Sequence, residues 1–487
     1  MMATVSKSLI CAGASLLLAA ALGAPASAQL GGLISGATAG QAVVPDPVVE
    51  GPITGGIHGR PWQSYVPDYG PNSDIAAFGY VEEEFFVSGT SDQQTPFKTR
   101  IVVRRPGDPA EFSGTVFAEW VNVTGGSDLE TLWPAGHPTI MREGHAYVVM
   151  SVQLVGVTEL RAWDAVRYGS LDHPGADHDD RIMEQLLQAI KDPVGTDPMG
   201  GLTVDYLIVA GDSQSAGGIT DYIANGYEIE GLVDGWIPGR GGTNAFTKQV
   251  MEELEMPMIV LLEENQAERP ADSDYYRVFY GAGQSHAPWD WASYVHAARV
   301  RDVLQGVDPG SAEDAAGRAA NGGTGGINRS YSRMMVRAGI HWINRMVRAA
   351  AAGGLDNPPI QPRLDRDTGG DLLRDADGHA LGGIRYPDIH VPVGLNTSEG
   401  LALFGIFDPW TAEEIVARYP TRQLYLGLVE DAIDAITPSG MLLPEDADEI
   451  RADAAALPVW DGDQARACYN EGWGFPPDPL NPCLALP

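Results

Sequence analysis

The chain has 487 residues, of which 65 are acidic and 31 basic, so its formal net charge is −34. This balance argues against nucleic acids and anionic membranes as partners, because both require a basic face. The length suits either one large domain with insertions or two domains.

Residues 1–28 have the three parts of a secretory signal peptide. Lys7 precedes an apolar stretch from Leu9 to Leu22, and Ala26-Ser27-Ala28 forms a small-residue cleavage site before Gln29. The apolar stretch is too short for a comfortable membrane span, and no later segment is long and apolar enough for one. We therefore expect an exported protein, periplasmic or extracellular, without a membrane span.

Apolar runs alternate with helical patterns along the rest of the chain, which predicts a mostly parallel sheet flanked by helices. A Gly/Pro-rich segment covers residues 29–74. The expected strands cover residues 77–87, 98–104, 114–123, 145–155, 203–210, 231–237, 257–262 and 275–281. Helices are expected at 138–143, 180–190, 215–225 and 330–351, and a loop or lid at 300–329.

The segment from Leu207 to Gly218 is typical of a strand-to-helix turn that presents a nucleophilic serine. Gly211 ends the apolar run and Ser213 follows it, with Ser215 where a second glycine is usual. The backbone N–H of Gln214, at the start of a helix, is then placed to stabilise an oxyanion. The alternative interpretation is an ordinary glycine-rich turn with serines that cap a helix.

A general base and an acid are expected on later loops at the same end of the sheet. His286 follows the last expected strand within a glycine-containing loop, which suits the base. Glu264 follows the strand at 257–262 and is our choice for the acid that orients the imidazole. Glu263, Asp272 and Asp274 remain alternative acids.

A second oxyanion donor is expected from the loop after the strand at 114–123. Gly125 and Gly126 allow the backbone to turn back, so the N–H of Thr124 or Val123 could face the substrate oxygen. An ordinary tight turn is the alternative. The acidic and histidine residues at 172–180 lack a recognised zinc or calcium spacing, so we expect neither a metal nor any other cofactor.

Several segments together resemble a bacterial, often exported family of alpha/beta hydrolase domain-containing proteins. They are Glu119–Gly126, Gly211–Ser215, Gly283–Ala287, Arg167–Leu171 and Gly382–Pro392. The resemblance spans residues 75 to about 445. It implies the α/β-hydrolase fold and serine-hydrolase chemistry on Ser213, His286 and a carboxylate matching Glu264, but little about the substrate.

The expected domain organisation is a signal peptide at 1–28, the segment 29–74, a hydrolase core at 75–355, and a long C-terminal appendage at 356–457. The appendage should contain a hairpin near 375–382 and helices near 411–418 and 425–436. The tail, 458–487, contains Cys468 and Cys483. In an exported protein these two cysteines favour one disulfide, with two free thiols as the alternative.

The function predicted from these features is that of a secreted serine hydrolase, a carboxylesterase that cleaves carboxylic esters through an acyl-enzyme on Ser213. The preference for esters rests on analogy with the fold. Three alternatives remain: an extracellular polyester depolymerase, an amidase or peptidase with the same triad, and a non-catalytic binding protein.

Overall fold

The structure is a computed structural model, and it describes residues 46–67, 73–91, 95–225, 232–241, 254–303, 326–400 and 403–470. The expected signal peptide, most of the expected loop at 300–329 and Cys483 lie outside these residues. Cys468 lies in the last described helix. Because Cys483 lies outside the described residues, the disulfide between them stays a prediction.

The strands follow the predicted order with shifted ends. They are β1 (Val48–Glu50), β2 (Tyr80–Thr90), β3 (Pro96–Pro106), β4 (Thr115–Trp120), β5 (Ala146–Met150), β6 (Val194–Gly195), β7 (Tyr206–Asp212), β8 (Gly235–Gly239), β9 (Met258–Leu262), β10 (Tyr276–Tyr280), β11 (Gly394–Thr397) and β12 (Ile406–Pro409). The short strands β1, β6, β11 and β12 were not predicted.

One ten-stranded sheet has the order β10-β9-β8-β7-β4-β5-β3-β2-β1-β6. Strands β4, β5 and β7 to β10 run parallel, whereas β3 is antiparallel to both β2 and β5. Parallel neighbours require crossover connections, which the intervening helices supply. These strand directions and this order confirm the α/β-hydrolase fold.

The helices lie between and after these strands. They are α1 (Leu132–Arg142), α2 (Leu154–Trp163), α3 (Ala165–Tyr168), α4 (Asp179–Lys191), α5 (Gln214–Ala224), α6 (Trp289–Asp302), α7 (Ser332–Ala351), α8 (Pro387–His390), α9 (Ala412–Arg418), α10 (Arg422–Ile436), α11 (Pro444–Ala455) and α12 (Asp463–Asn470). None of the described helices is long and apolar enough to cross a membrane.

The central strands are buried on both faces, because side chains alternate across a strand and helices cover each side. On one face, Ile208, Ile259 and Phe279 join a core that α1, α7, α10 and α11 complete. On the other face, Val209 and Val260 join a core with α4 and α5. The C-terminal helices thus share a core with the sheet.

Backbone hydrogen bonds also attach the C-terminal segment, the described part of residues 356–457, to the sheet beside β10. The N–H of Ile384 donates to the Tyr280 oxygen at 2.7 Å, and the N–H of Ala282 donates to the Ile384 oxygen at 3.0 Å. In the expected hairpin near 375–382, Arg374 and Ala380 form an antiparallel bridge. These contacts place the C-terminal segment next to the loop that carries His286.

Candidate active site

Ser213 occupies a strained turn between β7 and α5. Its φ and ψ are 58° and −113°, a region that residues other than glycine rarely adopt. Its backbone N–H donates to the Gly239 oxygen at 2.8 Å. Such strain persists only where the surrounding structure imposes it, and it is characteristic of functional sites.

The residues around Ser213 allow the turn to be tight. A Cβ atom on Gly211 would lie 2.5 Å from the Cδ1 atom of Ile219 and 3.1 Å from the Ser215 backbone, so the absence of a side chain lets α5 lie close to β7. Ser215 is buried, and its hydroxyl hydrogen-bonds the N and O atoms of Asp212, each at 2.9 Å. Ser215 therefore stabilises the turn, while Ser213 is the partly exposed serine.

His286 pairs with Glu263, not with Glu264. Its Nδ1 atom lies 3.0 Å from Glu263 Oε1, and the two side chains are 14% and 6% exposed. Gln266 Nε2 donates to the same oxygen at 2.7 Å. The predicted contact of Glu264 with the imidazole is therefore corrected to Glu263.

The neighbouring carboxylates have other partners. Glu264 is fully buried and accepts hydrogen bonds from Gly283, Thr397 and Ser398. The Asp272 carboxylate accepts from the Val278 N–H at 3.1 Å and from Arg363 at 2.8 Å. These contacts leave Glu263 as the carboxylate that pairs with His286.

The turn after β4 is attached to the serine turn by Asn122. Its Nδ2 atom donates to the Asp212 oxygen at 3.0 Å, and its Oδ1 atom accepts from the Thr124 N–H at 2.7 Å. Because Asn122 already occupies the Thr124 N–H, Thr124 is a poor oxyanion donor, contrary to one of our two expectations. The Val123 N–H donates to no backbone acceptor within the described part of the chain, so Val123 is the better candidate.

Gln214 is the first residue of α5, as predicted. The first N–H groups of a helix have no partner within the helix and favour a negative charge. The Gly217 N–H, one turn further, donates to the Ser213 oxygen at 3.1 Å. The Gln214 N–H therefore remains a candidate oxyanion donor.

Arg240 and Asp212 form an ion pair beside Ser213 that the sequence analysis did not identify. Arg240 Nε lies 2.8 Å from Asp212 Oδ1, and the side chains are 12% and 11% exposed. Burial lowers the pKa of the Arg240 guanidinium, but the Asp212 carboxylate outweighs it and the net shift is upward, with a further contribution from Glu263. The position of Arg240, directly after a parallel strand, was the available signal.

A small cavity of about 30 Å³ lies beside the serine turn and the loop that carries His286. Its walls include Asp212, the residue before Ser213, and Ser285, the residue before His286. Within the described ranges no hydrogen bond joins the Ser213 hydroxyl to His286. Such catalytic hydrogen bonds often shorten only when substrate binds.

The fold and this arrangement define the class of protein as an α/β hydrolase. The chain belongs to the alpha/beta hydrolase domain family, whose model matches residues 49–452. No curated protein sequence matches the chain significantly.

Among solved structures, "The structure of esterase Est22" shares 10% identity with the chain at a TM-score of 0.29, and the match covers 41% of this chain and 67% of that one. A study of two prolyl endopeptidases gives 9% identity and a TM-score of 0.26, covering 42% of this chain and 35% of that one. The chain thus spans about a third of the latter protein. At these scores the likenesses carry no argument about substrate.

Proposed function

We propose that the protein is an exported serine hydrolase that cleaves carboxylic esters through an acyl-enzyme on Ser213. The observation that carries this proposal is the strained conformation of Ser213 at the carboxyl edge of the sheet. The Glu263–His286 pair lies at the same edge. The export part rests on the features of residues 1–28, and N-terminal sequencing of the secreted protein should begin at Gln29.

The geometry supports a general-base mechanism. The Nδ1–H of His286 donates to Glu263, which leaves Nε2 free to take the proton of the Ser213 hydroxyl. The serine oxygen attacks the ester carbonyl, and the N–H groups of Gln214 and Val123 stabilise the oxyanion. His286 returns the proton to the departing alcohol, and a water molecule, activated in the same way, releases the acid.

The test is hydrolysis of p-nitrophenyl esters with acyl chains from acetyl to palmitoyl. We expect the wild-type protein to be active and Ser213→Ala to lose turnover. Ser439→Ala is the control, because the Ser439 hydroxyl donates to the carbonyl oxygen of Ile436, the last residue of α10, and has no part in the proposed mechanism. Retained turnover in Ser213→Ala would overturn the assignment of the nucleophile.

A parallel assay with matching p-nitroanilides tests the bond type. A higher kcat/KM on the anilide than on the ester would replace the ester by an amide as the substrate class. The acyl-length profile also measures the size of the acyl site, since longer chains are hydrolysed slowly where they do not fit.

A further inference from the structure

Glu264 connects the histidine loop, residues 281–286, to the C-terminal segment. Its Oε2 atom accepts a hydrogen bond from the Gly283 N–H at 2.8 Å. Its Oε1 atom accepts from the Thr397 hydroxyl at 2.7 Å and from the Ser398 N–H at 2.9 Å. One buried carboxylate thus bonds both segments at once.

The number of donors explains how this carboxylate can be fully buried. A buried charge is costly unless hydrogen bonds and an opposite charge compensate it. Beyond the donors already named, the Ser398 hydroxyl lies at 3.2 Å and Arg374 Nη2 at 3.3 Å from Oε1. Hydrogen bonds to a charged acceptor are roughly twice as strong as neutral ones, so Glu264 holds the histidine loop and the C-terminal segment together strongly.

Asn328 holds the same loop through the backbone carbonyl oxygen of Gly283. Its Nδ2 atom donates to the Gly283 oxygen at 2.7 Å and to the Thr397 oxygen at 3.1 Å. Gly283 has a φ of +70°, and a Cβ atom there would lie 2.4 Å from Ile389 Cδ1. Both hydrogen-bonding groups of the Gly283 backbone are therefore fixed.

The residue after His286 is also bonded to the C-terminal segment. The Ala287 N–H donates to the Leu403 oxygen at 2.9 Å. His286 thus lies between two residues that are held by the C-terminal segment. Gly283 is bonded through Glu264 to Thr397, and Ala287 is bonded directly to Leu403.

We propose that Glu264 is a positioning residue, which acts through Gly283 to hold the His286 imidazole against Glu263, and that the segment around Thr397 completes the active site. This inference rests on the proposed function. It assigns to a C-terminal segment, far from Ser213 and His286 in sequence, an effect on the rate of the chemical step that is transmitted through Glu264 and Gly283.

The test compares Thr397→Val, which removes one hydroxyl donor to Glu264, with Thr397→Ser, which keeps it. Because a misplacement of about 1 Å can cost on the order of 100-fold in rate, we expect kcat on p-nitrophenyl acetate to fall roughly tenfold in Thr397→Val with little change in KM. Thr397→Ser should recover most of the rate. Glu264→Gln should lower kcat in the same way if it folds.

Thr115→Val is the matched control. Thr115 is fully buried, and its hydroxyl donates to Asn344 Oδ1 at 2.8 Å at the amino end of β4, the opposite edge of the sheet. Thermal unfolding of all variants shows whether each is folded. Comparable destabilisation in Thr115→Val, with kcat unchanged, would separate positioning from general stability.

Two failures are distinguishable. Equal kcat in folded Thr397→Val and wild type would overturn the positioning role while leaving the serine mechanism intact. If a fluorophosphonate does not label the wild type at Ser213, the proposed function fails, and the positioning role fails with it.

Discussion

The side chain of Asn122 joins the two turns that carry the candidate oxyanion donors. Its Nδ2 atom lies 3.0 Å from the backbone oxygen of Asp212, the residue that precedes Ser213. Its Oδ1 atom accepts the Thr124 N–H of its own turn. A single amide therefore fixes the distance between Val123 and the serine turn.

Replacing Asn122 should weaken oxyanion stabilisation. Asn122→Ala loses both hydrogen bonds, and Asn122→Asp loses the donor to Asp212. Because one oxyanion donor is worth about 100- to 1,000-fold in kcat, we expect a loss of roughly 10- to 100-fold for a displaced donor. Measurement of kcat and KM on a short p-nitrophenyl ester checks this, and full kcat in Asn122→Asp would show that the bond to Asp212 has no catalytic effect.

Glu263→Gln should lower kcat far more than the corresponding substitutions at the other candidate acids. The carboxylate 3.0 Å from His286 Nδ1 holds the imidazole in the tautomer that accepts the serine proton. In serine proteases the equivalent change costs about 10,000-fold in kcat, and we expect a loss of at least roughly 100-fold here. Asp274→Asn is the control, and a variant at Glu263 with wild-type kcat would contradict the corrected assignment.

Replacing Gly211, two residues before Ser213, by alanine should destabilise the protein. A Cβ atom on Gly211 would approach Ile219 Cδ1 to 2.5 Å and the backbone of Ser215 to 3.1 Å. Overpacking of this kind typically costs about 1–3 kcal/mol, so chemical denaturation of Gly211→Ala should show a lower free energy of unfolding.

Gly217→Ala in helix α5 is the matched control for this change. A Cβ atom there would meet nothing within 4 Å. Alanine should stabilise the helix by about 0.5–1 kcal/mol relative to glycine. The prediction is wrong if both alanine variants shift the denaturation midpoint in the same direction.

The attachment of α11 to α7 should weaken in acid. Burial raises the pKa of Glu449, but the guanidinium groups of Arg333 and Arg337 outweigh it and lower that pKa to about 2 from a reference of 4.5. A carboxyl whose folded pKa is depressed stabilises the protein above its unfolded pKa and loses this contribution as the pH falls from about 4.5 towards 2. The side chain is 36% exposed, so solvent screens part of the effect.

We therefore expect the Tm difference between wild type and Glu449→Gln to be largest at neutral pH and to shrink between pH 5 and pH 2. Glu445→Gln removes the same charge from an exposed position on the same helix. A Tm difference that stays constant across this range would contradict the proposed contribution of the two arginines.

The serine turn and the order of serine, acid and histidine could be predicted because they depend on local sequence. Small residues around Ser213, and polar residues directly after apolar runs, are conditions that a strand-to-helix turn and a parallel sheet impose wherever they occur. Helix α6 and strand β11 were missed, although both lie next to the histidine loop. The attachment of β11 to that loop depends on contacts between residues far apart in sequence.

The sequence by itself determined the fold class and singled out Ser213 and His286 as the candidate nucleophile and base, because apolar periodicity and turn chemistry are local properties. Only the tertiary structure decided which of Glu263 and Glu264 contacts His286, and it favours Val123 over Thr124 as the candidate oxyanion donor. In both pairs the two residues are adjacent, so their spacing cannot separate them. The choice depends on which neighbour reaches each group: His286 reaches Glu263, Thr397 reaches Glu264, and Asn122 occupies the Thr124 N–H.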